Sequence, residues 1–259
     1  MRHPRAGSAI RANEPSDSFS LLIFYLVISQ MYNNLVSQAG QMTLAGIPND
    51  MIQAFSGVAC IIFGPIVQST YDLLARRKIR FGPIARITTS FVFCGLSMGY
   101  AAGLQALIYG SSPCYDKPLA CPEAQDGRLP NSVSVWLQMP VYFLLAVAEI
   151  LGFVTAFEYS YSKAPRDMKA VVQALTQLTA CLASLLGMAI SPAAKDPNMT
   201  IMYACLAGAM GLSAVLFWWK FRRYDDIDRE LNQFGAGDDV AGEDLRHDDG
   251  EATPGSKEV

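Results

Sequence analysis

The chain has 259 residues, 51% of them hydrophobic and 17% charged, with a mean hydropathy of +0.23. That is too apolar for an ordinary water-soluble domain. The formal charge of −3 hides a split: residues 225–259 carry twelve Asp and Glu against three basic residues, leaving the rest at +6, and nothing in either part supports nucleic-acid binding.

A polar segment, residues 1–18, comes first. Six runs of about 20 mostly apolar residues follow, near 19–40, 52–75, 84–109, 134–158, 169–191 and 199–220, each long enough to cross a hydrocarbon core roughly 30 Å thick. The expected fold class is an all-α membrane protein, with six transmembrane helices in one bundle. Turn chemistry separates the runs: GIPND at 46–50, RFGPIAR at 80–86, a Pro and Gly cluster over 110–130, KAPRD at 163–167 and SPAAKDPN at 191–198.

The first run does not read as a signal peptide, because Ser29, Gln30, Asn33, Asn34, Ser37 and Gln38 make its second half polar and no small-residue cleavage site follows. These residues form two parallel rows, Ser29, Asn33, Ser37 and Gln30, Asn34, Gln38, that serve either as glue between helices or as the wall of a polar interior. The third run has scattered hydroxyls only. The fourth carries Glu149, with Gly152 and Ala156 beside it as either close packing or room for a ligand. The fifth repeats the polar device with Gln173, Thr176, Gln177 and Ser184, whereas the sixth is nearly all apolar from Ile201 to Trp219. Runs three and six are therefore expected to face lipid, and runs one, four and five a polar interior. Residues 221–259 read as an acidic disordered tail.

Charge sets the expected orientation. Seventeen of the twenty Lys and Arg fall on one side of the six runs, against Lys117, Arg128 and Lys195 on the other. The positive-inside rule then puts both termini in the cytosol, with the plasma membrane the expected location. Cys60, Cys94, Cys181 and Cys205 sit in apolar runs and read as small hydrophobes. Cys114 and Cys121 lie seven apart in the longest loop, on the non-cytosolic side where disulfides persist, and are expected to staple that loop. No CxxC or His pairing points to a metal.

Glu149 is the one ionisable residue deep within a run, and holding a charge at the bilayer centre costs on the order of 2.5 to 3.5 kcal/mol. It is tolerable if the group faces water, meets a cation, or is protonated part of the time; the alternative is a neutral Glu bonded to a neighbouring helix. No intramembrane Lys, Arg or His is available as its partner. Enzyme chemistry is not expected: His3 and His247 lie in the polar termini, and GxSxG, HExxH and phosphate-cradling loops are missing, so no catalytic residue is assigned.

The stretch AEILGFVTAFEYSYSKAPRDMKAVVQA, residues 148–174, resembles the signature of the proton-dependent oligopeptide transporter family, a branch of the major facilitator superfamily, in the form E-x8-E-[FY]-x-[FY]-x-x-A-P-x-x-M-K. NNLVSQAGQM at 33–42, IIFGPIVQ at 61–68 and RKIRFGPIARI at 77–87 resemble the family's seventh helix, eighth helix and the loop into the ninth, in wording closest to the fungal branch. The resemblance covers about residues 20–220 and implies helices seven to twelve, half of a twelve-helix fold.

By that resemblance Glu149 receives the amino terminus of a peptide. Tyr25 matches a usually aromatic position of the seventh helix, and Ser29 and Gln30 fall where the family often has an acid and a glutamine. Ser56 falls where many members have Asn or Asp, Phe153 replaces a small Ser, and Thr176 replaces an aromatic. With Asn33 on the polar face of the first helix, these make the expected substrate-binding set. The implied function is proton-coupled transport of di- and tripeptides, with the proton as coupling ion, no other cofactor, the bilayer and an amino-terminal transporter half as partners, and no activity without that half. The alternatives are a non-transporting truncated paralogue or fragment, and a related transporter for a different small solute.

Overall fold

The computed structural model describes residues 15–44, 46, 48–77, 81–122, 129–163 and 169–221. Most of the segment 1–18, and residues 222–259 of the acidic tail, lie outside the described residues. In chain order the elements are α1 (Pro15–Tyr32), α2 (Asn34–Gly40), β1 (Met42–Thr43), α3 (Asn49–Arg76), α4 (Pro83–Tyr109) and β2 (Asn131–Ser134). A 3-10 turn at Val135–Gln138 leads into α5 (Met139–Glu149), a π turn (Ile150–Val154) and α6 (Thr155–Lys163), and α7 (Lys169–Ile190) and α8 (Met199–Phe221) follow.

Among the described residues six stretches are long and apolar enough to cross a membrane: Ser20–Gly40, Met51–Arg76, Pro83–Tyr109, Val135–Glu158, Lys169–Ile190 and Met199–Lys220, called spans one to six below. The chain is a multi-pass membrane protein. Proline marks where several elements begin, with Pro83 at the start of α4 and Pro140 at the start of α5, where a missing backbone N–H costs nothing. Pro65 lies inside α3, a placement that membrane helices tolerate.

Span three is the hub. It packs along span six on one side and span four on the other; span two covers span four, and span one joins span six to span five. Spans three and six approach closely at Gly95, where a Cβ would stand 3.4 Å from Cβ of Met210 and 3.5 Å from the Ala207 carbonyl. Below that point Phe91 and Phe217 meet edge to face, 5.4 Å between centroids.

Spans one and four are the most enclosed within the bundle, with 56% and 50% of their apolar windows buried, followed by spans three and six at 44% and 39%, whereas span two, at 17%, and span five, at 11%, leave most of their surface open. The fold is all-α as expected, with one small addition: β1 and β2 form a short parallel pair, with Met42 opposite Asn131 and Thr43 opposite Ser134.

That strand pair belongs to an ordered cap at one end of the bundle, referred to as the disulfide end. Cys114 and Cys121 are joined there, with their Cα atoms 5.4 Å apart. The fully buried Asn131 is the organiser: its amide donates to the carbonyls of Ile108 at 2.7 Å and Tyr115 at 3.3 Å, and its side-chain oxygen accepts from the Cys114 N–H at 3.2 Å.

Beneath the cap runs a chain of amides. Gln138 donates to Gln38 at 3.0 Å, Gln38 to Gln105 at 2.8 Å, Gln105 to Gln41 at 2.8 Å, and Gln41 to the Asp196 carboxylate at 3.0 Å. Gln138 also donates to the Leu35 carbonyl at 2.8 Å and Gln38 to that of Ala101 at 3.0 Å, while the Tyr109 hydroxyl donates to Asp196. Spans one, three and four and the loop before span six are thereby held in one register. Replacing the central member, Gln38→Leu, leaves the Gln105 carbonyl oxygen without this donor. It should destabilise the bundle by roughly 1–3 kcal/mol, read as a lower melting temperature of the purified chain in detergent. An unchanged melting temperature would mean that the chain of amides contributes nothing to stability.

Candidate functional site

Glu149 is the last residue of α5, and the backbone changes from α to π winding immediately after it, over Ile150–Val154. A π turn is uncommon and often marks a functional position in a helix. The Glu149 side chain is half-buried, and the polar contact it makes is weak: the Cys60 thiol, on α3, donates to Oε2 at 3.8 Å. No Lys, Arg or His among the described residues pairs with it. Ser56, buried one turn before Cys60, shares that face of α3. Periodicity offered no hint of Cys60, since a cysteine in an apolar run reads as packing until a partner is seen. The π turn has no sequence signature.

Beyond Glu149 the site is aromatic. Phe153, within the π turn, lies 5.1 Å from Tyr25 and 5.4 Å from Phe24, centroid to centroid, and stacks on Phe157 at 6.3 Å. Phe24 in turn meets Phe91 at 5.5 Å. Tyr25 is 7% exposed, and its hydroxyl has no hydrogen-bond partner among the described residues. Spans one and four thus bring Tyr25 and Phe153 together a turn from the carboxylate.

The remaining expected residues are placed differently. Ser29 is half-buried and donates back to the Leu26 carbonyl at 2.6 Å; a Cβ on Gly187 of α7 would stand 2.6 Å from its oxygen, so spans one and five touch here. Gln30 is fully enclosed, donating to the Leu26 carbonyl at 3.0 Å and accepting from Asn34, which also donates to Met202 sulfur at 3.5 Å. Asn33 is exposed at the break between α1 and α2. Thr176 donates within its own helix to Val172, at 3.1 Å. The two polar rows of span one therefore part company: Gln30, Asn34 and Gln38 are buried glue, whereas Ser29, Asn33 and Ser37 are half-buried or exposed.

In span five Gln173 and Thr176 are half-buried and Gln177 and Ser184 exposed, and the positions it buries fully are the small Ala183 and Gly187. Gly152 is a packing residue, since a Cβ there would lie 2.6 Å from Phe24 and 2.8 Å from the Ser90 hydroxyl oxygen.

On the other side of the π turn, at the end of the bundle opposite the disulfide, lies a cavity of about 330 Å³ between spans two, three and four. Ile150, Val154 and Thr155 form one wall, and Asp72, Arg86 and Glu158 supply its charge. The Arg86 guanidinium sits over the Tyr71 ring, 4.0 Å from its centroid. Glu149 itself is not among the lining residues of this cavity.

A family model described as "PTR2: POT family" matches residues 18–209. Among similar proteins, the peptide transporter imqD of Aspergillus flavus is 53% identical over 210 residues, 81% of this chain and 52% of that protein. The probable peptide transporter ptr2 of Schizosaccharomyces pombe is 41% identical, over 82% of this chain and 33% of that protein. For the peptide transporter PTR2 of Saccharomyces cerevisiae the figures are 38%, 82% and 35%. The chain thus spans between about a third and a half of the length of these relatives.

Two crystal structures share the fold. One is of an auto-inhibited POT family peptide transporter, with a TM-score of 0.63 at 22% identity over 81% of this chain and 40% of that one. The other is of the POT family transporter PepTSo, with a TM-score of 0.66 at 19% identity over 86% and 47%.

Because Gly152 lets α4 and Phe24 close onto the π turn, Gly152→Ala should overpack this contact and cost roughly 1–3 kcal/mol. Thermal unfolding of the variant in detergent measures it. A wild-type melting temperature would show that Phe24 swings aside freely.

Proposed function

Since the chain belongs to the POT family, we propose that it forms the carboxyl-terminal half of a proton-coupled symporter for di- and tripeptides, with helices seven to twelve of the family's twelve. The observation that carries this reading is Glu149: a carboxylate in the middle of an apolar span, beside a π turn, whose one side-chain partner among the described residues is a thiol at 3.8 Å. A peptide's ammonium supplies the cation that the bundle withholds. Tyr25, with its free buried hydroxyl, and Phe153 are the neighbours such a ligand would meet, and Ser56 lies on the facing helix.

In this reading both termini are cytosolic, residues 1–18 and 221–259 flank the bundle on that side, and the disulfide end is extracellular at the plasma membrane. Rocking of this bundle against an amino-terminal one exposes the site to each side in turn. The wide apolar surfaces left open on spans two and five, including Ile61, Ile62, Leu178 and Leu182, are suited to that partner as well as to lipid.

Phe153 favours a second, narrower reading. Its ring fills the turn next to Glu149 and is held by Tyr25, Phe24 and Phe157, which leaves less room for a bulky peptide and suits a smaller solute or a relative that has lost transport.

The test is uptake of labelled dipeptide by peptide-auxotrophic yeast expressing the chain alone or joined in frame to the amino-terminal half of the Aspergillus flavus relative. The joined protein should transport and the chain alone should not. Uptake by the chain alone would refute the claim that it is half of a working unit. In the joined protein, Glu149→Gln should abolish most uptake while membrane insertion stays intact; uptake at the wild-type level removes Glu149 from the site. Phe153→Ser should raise uptake of peptides with large first side chains relative to glycyl peptides, and an unaltered ratio would exclude Phe153 as a limit on size.

A further inference from the structure

The cavity beyond the π turn is lined by charges that the proposed transport site does not use. Asp72 on span two, Arg86 on span three and Glu158 at the end of span four all border one space of about 330 Å³, a size that suits a small ligand or a headgroup. Gln68, Tyr71 and Thr155 add polar atoms to its wall.

Arg86 is held in place there. It is half-buried, its Nε donates to the Phe81 carbonyl at 3.3 Å, and its guanidinium sits 4.0 Å from the centroid of the Tyr71 ring. The fork of terminal N–H groups on a guanidinium matches a phosphate or a carboxylate, and a side chain already anchored loses less entropy in gripping one. Asp72 and Glu158, once ionised, can only accept. Among the described residues no ion pair joins Arg86 to either of them, so the two signs stand apart across one space.

That arrangement selects the ligand's chemistry. An anion alone would meet Asp72 and Glu158, and a cation alone would meet Arg86. A molecule with a primary ammonium a few atoms from an acidic group answers both signs at once. Quaternary ammonium groups have no N–H to give and are recognised by aromatic faces, and here a face of the Tyr71 ring is already taken by Arg86.

Depth adds a second constraint. Asp72 stands four residues before the end of span two and Arg86 three after the start of span three, so both lie within about 6 Å of a span end, and Glu158 closes span four. In a bilayer that is the level of the lipid headgroups, whereas Glu149 lies deeper along span four. Val154, a lining residue that is 59% exposed, brings the cavity out to the surface of the described bundle.

We propose that the cavity bordered by Asp72, Arg86 and Glu158 binds a zwitterion with a primary ammonium close to an acidic group, either the headgroup of an aminophospholipid such as phosphatidylethanolamine or a free small peptide. The acidic group lies on the Arg86 guanidinium, and the ammonium donates to the Asp72 and Glu158 carboxylates. The site is independent of whether Glu149 receives a peptide.

The test melts the purified 259-residue chain in detergent with dihexanoyl phosphatidylethanolamine, dihexanoyl phosphatidylcholine or glycylglycine. The two lipids differ only in the methyl groups that replace every N–H on the choline nitrogen. At about a hundred times its dissociation constant a bound ligand should raise the melting temperature by roughly 5–10 °C. A rise with phosphatidylethanolamine and not with phosphatidylcholine identifies a lipid site. A rise with glycylglycine that persists in Glu149→Gln identifies a peptide site, whereas one that Glu149→Gln abolishes belongs to Glu149 and counts against a peptide in the cavity.

Whichever ligand acts, Arg86→Gln and Glu158→Gln should each remove its shift. No shift with any of the three, an equal shift with both lipids and none with glycylglycine in Glu149→Gln, or a shift that survives both cavity variants overturns the proposal. Native mass spectrometry of the wild-type chain makes the lipid comparison without a variant: a lipid site retains phosphatidylethanolamine under activation that strips phosphatidylcholine, and equal loss of the two overturns that source.

Discussion

Everything in this bundle follows from one constraint: inside a bilayer a polar group has only the protein to bond with. The disulfide end shows what satisfying that constraint looks like. Amide side chains carry a donor and an acceptor each, so they can be linked head to tail, and Gln138, Gln38, Gln105 and Gln41 are linked in that way until a carboxylate, Asp196, ends the series. Because the members come from spans one, three and four and from the loop before span six, the chain of bonds fixes their relative height as well as their contact. Apolar packing alone, which tolerates sliding by a residue or a turn, does not do that.

Glu149 is the same constraint left open. Its span offers no cation, and the neighbouring span offers a thiol, among the weakest donors a side chain can present. Four glutamines are threaded together at the disulfide end, whereas among the described residues the single deep carboxylate meets only that thiol, and this contrast is what supports the proposed ligand. The surroundings fit a ligand with one charged group and an apolar body: the carboxylate on one side, and the Phe153, Phe157 and Tyr25 rings on the other.

Reading the sequence first located the spans well, because about 20 consecutive apolar residues have few other uses, and it singled out Glu149 because one charge in such a run is conspicuous. Faces were harder. Rows Ser29, Asn33, Ser37 and Gln30, Asn34, Gln38 are equivalent on a helical wheel, and only the placement of span three, with Gln105, shows that Gln38 is glue whereas Asn33 is not. Cys60 and the π turn were illegible outright. The first needs a partner from another helix to acquire meaning, and the second is a change of winding within an apolar run that no residue pattern announces, although Gly152 inside it lets Phe24 and Ser90 press against span four.

These features meet in span four, whose two ends are held by different means. Its beginning is locked: Gln138 bonds to the Leu35 carbonyl and to Gln38, and Val141 offers its carbonyl to Ser97 at 3.0 Å. Past Glu149 the winding loosens into the π turn, and the wall beyond it fronts a cavity of about 330 Å³ in place of a packed neighbour. In the proposed reading a ligand at Glu149 meets the span at the boundary between these two segments, next to the Thr155–Lys163 end where Glu158, Arg86 and Asp72 line the cavity.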